Sequence, residues 1–208
     1  MKFDASKLMT EDKFWHIIEK SEQGRELNDL LSSLSDNELI GFYYWWQYFS
    51  DRLYRQDLWA VAYVVKGGCS DDSFDYFRYW LLVQGRKPVY DALENADSLC
   101  DLFETMIDVD DEDSLQNEEV NYTVIKAIED RSDASDEFRA MIENIEIPEG
   151  CDEMDFEWEE DDEESIKAIC PRTFERYWNN CPIPSEPYHH EEPKTSKGFF
   201  AFLKRLFK

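Results

Sequence analysis

The chain has few basic residues. Its 208 residues include 22 Lys and Arg against 48 Asp and Glu, which gives a formal net charge of −26. A surface of this sign repels the phosphates of nucleic acids and of anionic lipids over roughly a Debye length of 8–10 Å. We therefore expect no direct nucleic-acid binding by the body of the protein. The surplus of acids favours a basic protein as its partner.

Long apolar runs are missing as well. No apolar stretch reaches transmembrane length, and charged residues interrupt the N-terminus MKFDASKLMTEDKFWHII, unlike the apolar core of a signal peptide. The five cysteines are scattered singly and odd in number, which is typical of reduced thiols rather than of a disulfide framework. These features predict a cytoplasmic protein.

Signatures of catalysis and of metal binding are also missing. The chain contains no HExxH, P-loop or GxSxG motif and no Cys-His pairing signature. Residues Asp108–Glu119 place acids at several ligand positions of an EF-hand loop, but Asp113 stands where that loop needs glycine. His189 and His190 have no third ordered ligand beside them. We therefore predict no catalytic residue, no metal site and no cofactor, and an enzyme is not the favoured interpretation.

Apolar residues are nonetheless frequent enough for a sizeable core, at 42% with 15% aromatics. They recur at helical spacing, behind start signals such as Thr10 and the capping box formed by Ser35 and Glu38. The helix expected over Glu38–Arg55 is apolar almost all round, which is typical of a central helix. The sequence predicts an all-α fold, a single compact multi-helix bundle over residues 1–181.

Shorter helices are predicted around this centre. Pro171 should kink or divide the last of them, and Asp97 is expected to cap the helix that contains Leu102. The other short helices are expected at Leu27–Leu34, Pro88–Glu94, Glu118–Arg131 and Ser135–Ile142.

The most informative stretch is DLWAVAYVVKGGCSDDSFDYFRYWLLVQG, residues 57–85. Gly67 and Gly68 end one helix pattern, and Ser70 begins the next with two acids in its first turn. The GGCSDD turn has two interpretations: a connection between helices, or a small site with exposed N–H groups, paired carboxylates and a thiol. Asp71, Asp72 and Arg78 are therefore candidate partner-binding residues, although Arg78 also suits an ion pair with a local carboxylate.

The segment LWAVAYVVKGGCSDDSFDYFRYWLLVQGR resembles the signature LW.AAY…GGCSDD.F.YFR.WLI.QGR of the bacterial domain-of-unknown-function family DUF4240. The similarity extends through FWHIIEKS, the DSLCDL segment at Asp97–Leu102 and the late Trp158…PRTFERYW stretch. It covers most of Phe14–Trp178. The resemblance implies an all-helical fold in a bacterial cytoplasmic protein and carries no established activity.

Acidic residues are concentrated between Asp101 and Glu164, where 27 acids stand against three bases. Within this region Phe156 and Trp158 lie in DEMDFEWEEDDEE, residues 152–164. The pattern suits a loop that is pinned to the body by two rings, and it also suits a peptide that docks into a basic groove. Phe156 and Trp158 are therefore candidate partner-binding residues.

The C-terminal part of the chain has a different composition. Four prolines between 182 and 193 predict an extended, flexible linker over residues 182–197. Residues 198–208, GFFAFLKRLFK, then predict a basic amphipathic helix. Its apolar face consists of Phe199, Phe200, Phe202, Leu203, Leu206 and Phe207, and its opposite side carries Ala201, Lys204, Arg205 and Lys208.

This tail is too short to span a bilayer. Three roles remain open for it: contact with a membrane surface, binding in a partner's groove, or docking on the protein's own acidic body. For the whole chain, the first hypothesis is an acidic protein-interaction module, such as an immunity or inhibitor protein that covers a basic partner. The alternatives are a peripheral adaptor at the inner membrane face, anchored by the tail, and an enzyme with a site near the GGCSDD turn. The sequence contains no indication of oligomeric state.

Overall fold

The computed structural model describes residues 4–108, 114–146 and 154–182. These residues contain eleven α-helices, two short 3₁₀-helices and no β-strand, so the predicted all-α fold is confirmed. The helices are α1 (Glu11–Lys20), α2 (Leu27–Ser32), α3 (Asp36–Arg52), α4 (Gln56–Lys66), α5 (Asp71–Val83), α6 (Arg86–Glu94), α7 (Cys100–Met106), α8 (Glu118–Ala134), α9 (Asp136–Ile142), α10 (Glu163–Ile169) and α11 (Pro171–Tyr177).

The helix α3 lies at the centre, as its apolar surface predicts. It contacts α1, α5 and α8, and more than half of its residues are buried. The ring of Phe14 in α1 lies 5.1 Å from that of Phe42, and the indole N–H of Trp46 donates to the side chain of Asn121 in α8 at 3.0 Å. Aromatic side chains on α1 and α3 therefore form a large part of the core around α3.

The predicted helix starts and stops are confirmed at several positions. The hydroxyl of Thr10 accepts from the backbone N–H of Lys13 at 3.3 Å, and the backbone N–H of Ser35 donates to the carboxylate of Glu38 at 2.9 Å. Gly67 ends α4 with a φ of 68°, in the left-handed region that glycine adopts without a Cβ clash. Local capping chemistry therefore determines where these helices begin and end.

The predicted role of Asp97 is wrong. The side chain that starts the 3₁₀-helix Ala96–Leu99 is Asn95, which accepts from the backbone N–H of Asp97 at 3.1 Å, and α7 follows directly. The carboxylate of Asp97 instead accepts from the backbone N–H groups of Arg172 and Thr173 at 2.9 Å each. The first N–H groups of a helix have no intrahelical partner, and Asp97 supplies acceptors to those of α11.

The last part of the body follows the prediction at Pro171. This residue begins α11 directly after α10, so the expected helix is divided in two. Nowhere in the described ranges is a helix both long and apolar enough to cross a membrane. Most of the predicted linker, residues 183–197, and the whole tail, residues 198–208, lie outside the described residues.

Candidate functional site

The GGCSDD turn joins α4 to α5. The backbone N–H of Gly68 donates to the carbonyl of Tyr63 at 2.9 Å, which closes the end of α4. The carbonyl of Cys69 accepts from the indole N–H of Trp59 at 3.0 Å, and the hydroxyl of Ser70 accepts from the first turn of α5. These bonds are those of a connection between two helices, which was one of the two interpretations of the turn.

The thiol of Cys69 is not poised for chemistry. It is buried, and this burial raises its pKa to about 12. A thiol with so high a pKa remains protonated at neutral pH, whereas the thiolate is the reactive nucleophile. Within the described ranges, no group of His, Cys, Asp or Glu side chains is placed to hold a metal ion.

Arg78 belongs to α5, and its side chain lies in the core between α3 and α5. The residue is only 6% exposed. Its guanidinium donates to the carbonyl of Ser50 at 2.6 Å and forms an ion pair with Asp75. The predicted ion pair with a local carboxylate is therefore confirmed. Because Arg78 points into the core, it does not join the two acids of the turn in one site.

Asp71 and Asp72 occupy the first turn of α5, where the helix dipole favours negative charge. Asp72 is exposed, and Asp71 is half-buried. Partial burial, together with the charges of Asp75 and Asp72, raises the pKa of Asp71. The N-terminus of α5 therefore carries closely spaced carboxylates that a nearby cation would stabilise.

Asp72 lines a cleft of about 460 Å³ between the N-termini of α5 and α8. The two helices meet here because the backbone N–H of Asn117 donates to the carbonyl of Tyr76 at 3.0 Å. The side chain of Asn117 also accepts from Val120 at 3.0 Å and so caps α8. The residues that line this acidic cleft are Ser70, Asp72, Ser73, Tyr76, Gln116, Asn117, Glu118 and Glu119.

Two tyrosines lie in or beside the acidic cleft. Burial, a hydrogen bond with Glu118 and nearby acids raise the pKa of Tyr76 to about 12. Tyr122 stands one turn after Glu118 and Glu119 on α8, where side chains three and four positions apart are neighbours, and it is 64% exposed. The cleft lining therefore combines carboxylates with the ring and hydroxyl of Tyr76, and Tyr122 follows on the next turn of α8.

Four residues in or beside the cleft are not among the candidate residues predicted from the sequence: Glu118, Glu119, Tyr76 and Tyr122. A signal for Tyr122 was present, because the apolar stripe of α8 runs through Val120, Val124 and Ile128 and leaves Tyr122 on another side of the helix. The acids of α8 carried no such signal among so many carboxylates. Their proximity to Asp72 depends on how α5 packs against α8.

A second surface contains Phe156 and Trp158. The indole N–H of Trp158 donates to the carbonyl of Gln56 at 3.0 Å, and the backbone N–H of Glu157 donates to the Gln56 side chain at 3.0 Å. Trp158 is 6% exposed, whereas Phe156 is 47% exposed, with its ring 5.3 Å from that of Trp59. This segment is therefore pinned to the body, as one of its two interpretations predicts.

Comparison with known proteins gives a single family. The family described as "Protein of unknown function (DUF4240)" matches residues 9–130, a range that holds α3, the GGCSDD turn and every residue of the acidic cleft. The segment with Phe156 and Trp158 lies beyond the match. No match was found among curated proteins or among solved structures. Because the matched range covers more than half of the chain and includes its most distinctive block, the protein belongs to the DUF4240 family.

Proposed function

We propose that this protein is an acidic interaction module whose cleft between α5 and α8 receives basic side chains of a protein partner. The observation that carries the proposal is the composition of the cleft lining. It includes the carboxylates of Asp72, Glu118 and Glu119 and no basic side chain. A basic group that entered the cleft would therefore meet three acids and no competing cation.

The position of these acids at helix N-termini favours their negative charge. Asp72 lies in the first turn of α5, and Glu118 and Glu119 lie in the first turn of α8. Unpaired N–H groups at a helix N-terminus stabilise negative charge. Lys66, which donates to Gln116 at 2.7 Å beside the cleft, is itself buried and does not present its charge to a partner.

The size and the rim of the cleft fit side chains rather than a whole helix. Its volume of about 460 Å³ is near the lower end of the range of ligand pockets. Arginine suits such a site because its guanidinium binds carboxylates through two parallel hydrogen bonds. Tyr122 would contribute the aromatic contact that commonly anchors protein interfaces.

The charge of the whole chain supports a particular class of partner. A net charge of −26 accelerates encounter with a basic surface and selects against acidic ones. Immunity proteins and inhibitors that cover the basic active site of a toxic nuclease have this physical profile. We infer that the partner is a basic protein of the kind that such inhibitors cover, and that it binds the acidic cleft.

The test uses the full-length chain and a fluorescent peptide rich in Arg and Tyr as the probe, with binding followed by anisotropy. The cleft variant Asp72→Asn/Glu118→Gln/Glu119→Gln is compared with a control variant, Glu137→Gln/Glu143→Gln/Glu175→Gln. The control removes the same charge at exposed positions outside the cleft lining.

We expect the cleft variant to bind the peptide about tenfold more weakly than the wild type, because several charge contacts are lost together. The control variant should lose about twofold or less, since removal of exposed charges outside the site changes only the long-range field. Equal losses in both variants would mean that the peptide senses net charge alone, and the cleft would not be a binding site.

A further inference from the structure

A continuous row of aromatic rings lies on a different part of the surface from the acidic cleft. The rings come from the segment before α10, from α4 and from α11, and neighbouring ring centres are 5.4, 5.5, 6.4 and 4.8 Å apart. In order, this aromatic row consists of Phe156, Trp158, Tyr63, Trp178 and Phe174.

The aromatic row is partly open to solvent. Its member Trp158 is buried, but Tyr63, Phe174 and Trp178 are half-buried, and Phe156 is 47% exposed. In the described part of the chain, the other exposed large apolar residues are Tyr90 and Tyr122, which both carry a hydroxyl. Phe156 has no polar atom in its side chain, so its exposed ring forms no hydrogen bond with water. Such apolar surface is typical of a binding site.

Carboxylates border the row. Residues 155–164 include eight acids and no base, and all eight are exposed. The ammonium group of Lys167 lies 5.9 Å from the centre of the Phe174 ring, which is a cation–π contact. The ring of Phe174 thus already contacts a cation. Together with the acids of residues 155–164, the row offers aromatic faces and negative charge side by side. It is suited to a ligand that is apolar on one side and basic on the other.

A segment of this chain has that composition. Residues 198–208, GFFAFLKRLFK, contain six Phe and Leu side chains, three basic residues and no acid. The described chain ends at Pro182, four residues after Trp178, and the Cys181 thiol meets the carbonyl of Val65 at 3.4 Å. The path to the tail therefore begins at one end of the aromatic row.

We propose that residues 198–208 dock on the aromatic row of the same molecule. Phe199, Phe202 and Leu206 belong to the apolar side that would cover the rings, and Lys204 and Arg205 would face the acids of residues 155–164. Sixteen residues separate Pro182 from Phe199. A chain of this length spans about 20 Å on average as a random coil and about 50 Å as a fully extended Pro-rich segment, and short linkers give effective concentrations in the millimolar range.

Charge also favours this surface over a membrane. An anionic bilayer attracts the three basic residues of the tail but repels a body that carries nearly all of the acidic residues. The acids of residues 155–164 attract the same three basic residues, and docking there does not bring the acidic body close to an anionic bilayer. This inference is independent of the proposed function, because it concerns another surface and another ligand.

The test places a photo-activated benzoylphenylalanine at Phe202 in the full-length chain and identifies cross-links by mass spectrometry. We expect cross-links to Tyr63 or to residues 154–178 of the same molecule. A mixture of isotope-labelled and unlabelled chains distinguishes links within one molecule from links between two. The matched control carries the same group at Ala201, on the opposite side of the helix predicted for the tail, where the yield of these cross-links should be lower.

Two surface variants locate the docking site. Phe156→Ser should lower the cross-link yield about fivefold, because it removes an aromatic contact. Tyr122→Ser, which alters the rim of the acidic cleft, should leave the yield unchanged. Both side chains are exposed, so thermal unfolding should show that both variants keep their fold. Binding of the peptide rich in Arg and Tyr should weaken in Tyr122→Ser and stay unchanged in Phe156→Ser. Failure of one proposal is therefore distinguishable from failure of the other.

Three results would overturn the docking proposal. The first is cross-linking only between labelled and unlabelled copies, which would mean that the tail binds a second molecule. The second is cross-linking only to sites other than Tyr63 and residues 154–178, or none at all. The third is loss of the cross-links on adding phosphatidylglycerol vesicles together with sedimentation of the protein, which would make the membrane surface the preferred site of the tail.

Discussion

Asp97 and Thr173, which lie 76 positions apart in the chain, form a buried two-point contact. One carboxylate oxygen of Asp97 accepts from the backbone N–H of Thr173 at 2.9 Å and from its hydroxyl at 2.7 Å. The other oxygen accepts from the backbone N–H of Arg172 at 2.9 Å. Asp97 is 4% exposed. The contact therefore fastens α11, which follows the range matched by the family, to the 3₁₀-helix that follows α6.

Replacement of Asp97 should destabilise the protein strongly. Asp97→Ala leaves three donors without an acceptor, two of them buried, and we expect the free energy of unfolding to fall by about 3 kcal/mol. Asp97→Asn keeps one acceptor oxygen and should lose less. Urea unfolding measures both effects. Asp101→Ala is the control, because it breaks only an exposed ion pair with Arg172 and should cost less than about 1 kcal/mol. Equal losses at the two positions would contradict the buried cap.

Arg78 should also be required for stability. Arg78→Met leaves the carbonyl of Ser50 without its donor and Asp75 without its counter-ion, so we expect a loss of about 3 kcal/mol in the free energy of unfolding. Arg78→Lys should recover only part of this loss. Its ammonium group cannot reproduce the planar guanidinium, which lies 4.8 Å from the centre of the Tyr54 ring while it donates to Ser50.

Thermal or urea unfolding of the two Arg78 variants is the measurement. Arg139→Met is the control, because Arg139 pairs with two exposed acids, Asp133 on α8 and Asp136 on α9, and its loss should cost less than the loss of the buried Arg78. If Arg78→Met were as stable as the control variant, the guanidinium would not be a structural element of the core.

Asp51 on α3 should make stability depend on pH. Burial raises the pKa of Asp51 from its ordinary value of 3.8 to about 6, although the charge of Arg78 acts in the opposite direction. The folded protein therefore binds this proton more tightly than the unfolded chain does. The resulting stabilisation is fully present below about pH 3.8 and is lost as the pH rises through about 6.

The variant Asp51→Asn removes this ionisation. We expect it to be more stable than the wild type by about 2 kcal/mol at pH 8, because the wild type must then hold a charge in a half-buried site. The difference should vanish near pH 4. Urea unfolding at both pH values isolates this effect from that of the other acids. Asp29→Asn, at an exposed position, should show no such dependence on pH.

Gly41 in α3 should not tolerate alanine. A Cβ at this position would lie 2.6 Å from the Cβ of Met9 and 2.8 Å from its backbone nitrogen. Alanine favours a helix over glycine by about 1 kcal/mol, but the close approach should outweigh this gain and give a net loss of about 2 kcal/mol. Adding Met9→Gly removes the nearest carbon and should restore only part of the stability. A stabilised Gly41→Ala variant in thermal unfolding would contradict the close packing.

Much of the fold could be predicted because its signals are local. Thr10, the Ser35–Glu38 pair and Gly67 act within one helical turn of their own position, so their neighbours in sequence are also their neighbours in space. The prediction that Asp97 caps the helix containing Leu102 is wrong because it rested on the same local signal. Its position suited a local cap, but Asn95 is the side chain that starts the 3₁₀-helix, and α11 provides the donors for Asp97.

The candidate sites were predictable only in part. Asp72, Phe156 and Trp158 stood out as acids at a helix start and as rings within an acidic run. Arg78 was expected both as a local ion-pair partner and as a binding residue, and its burial between α3 and α5 could not be read from its neighbours. The contribution of α8 to the acidic cleft had no local signature either.

By itself, the sequence determined that this is a helical protein of the DUF4240 family with a central aromatic helix and a strongly negative surface. Those properties follow from periodicity, capping and composition, which act over a few residues or over the whole chain. Only the tertiary structure decided that the starts of α5 and α8 face one another, that Asp97 caps α11 and that five rings form one row. These contacts join residues far apart in sequence, and they exist because the apolar faces of the helices must be buried together.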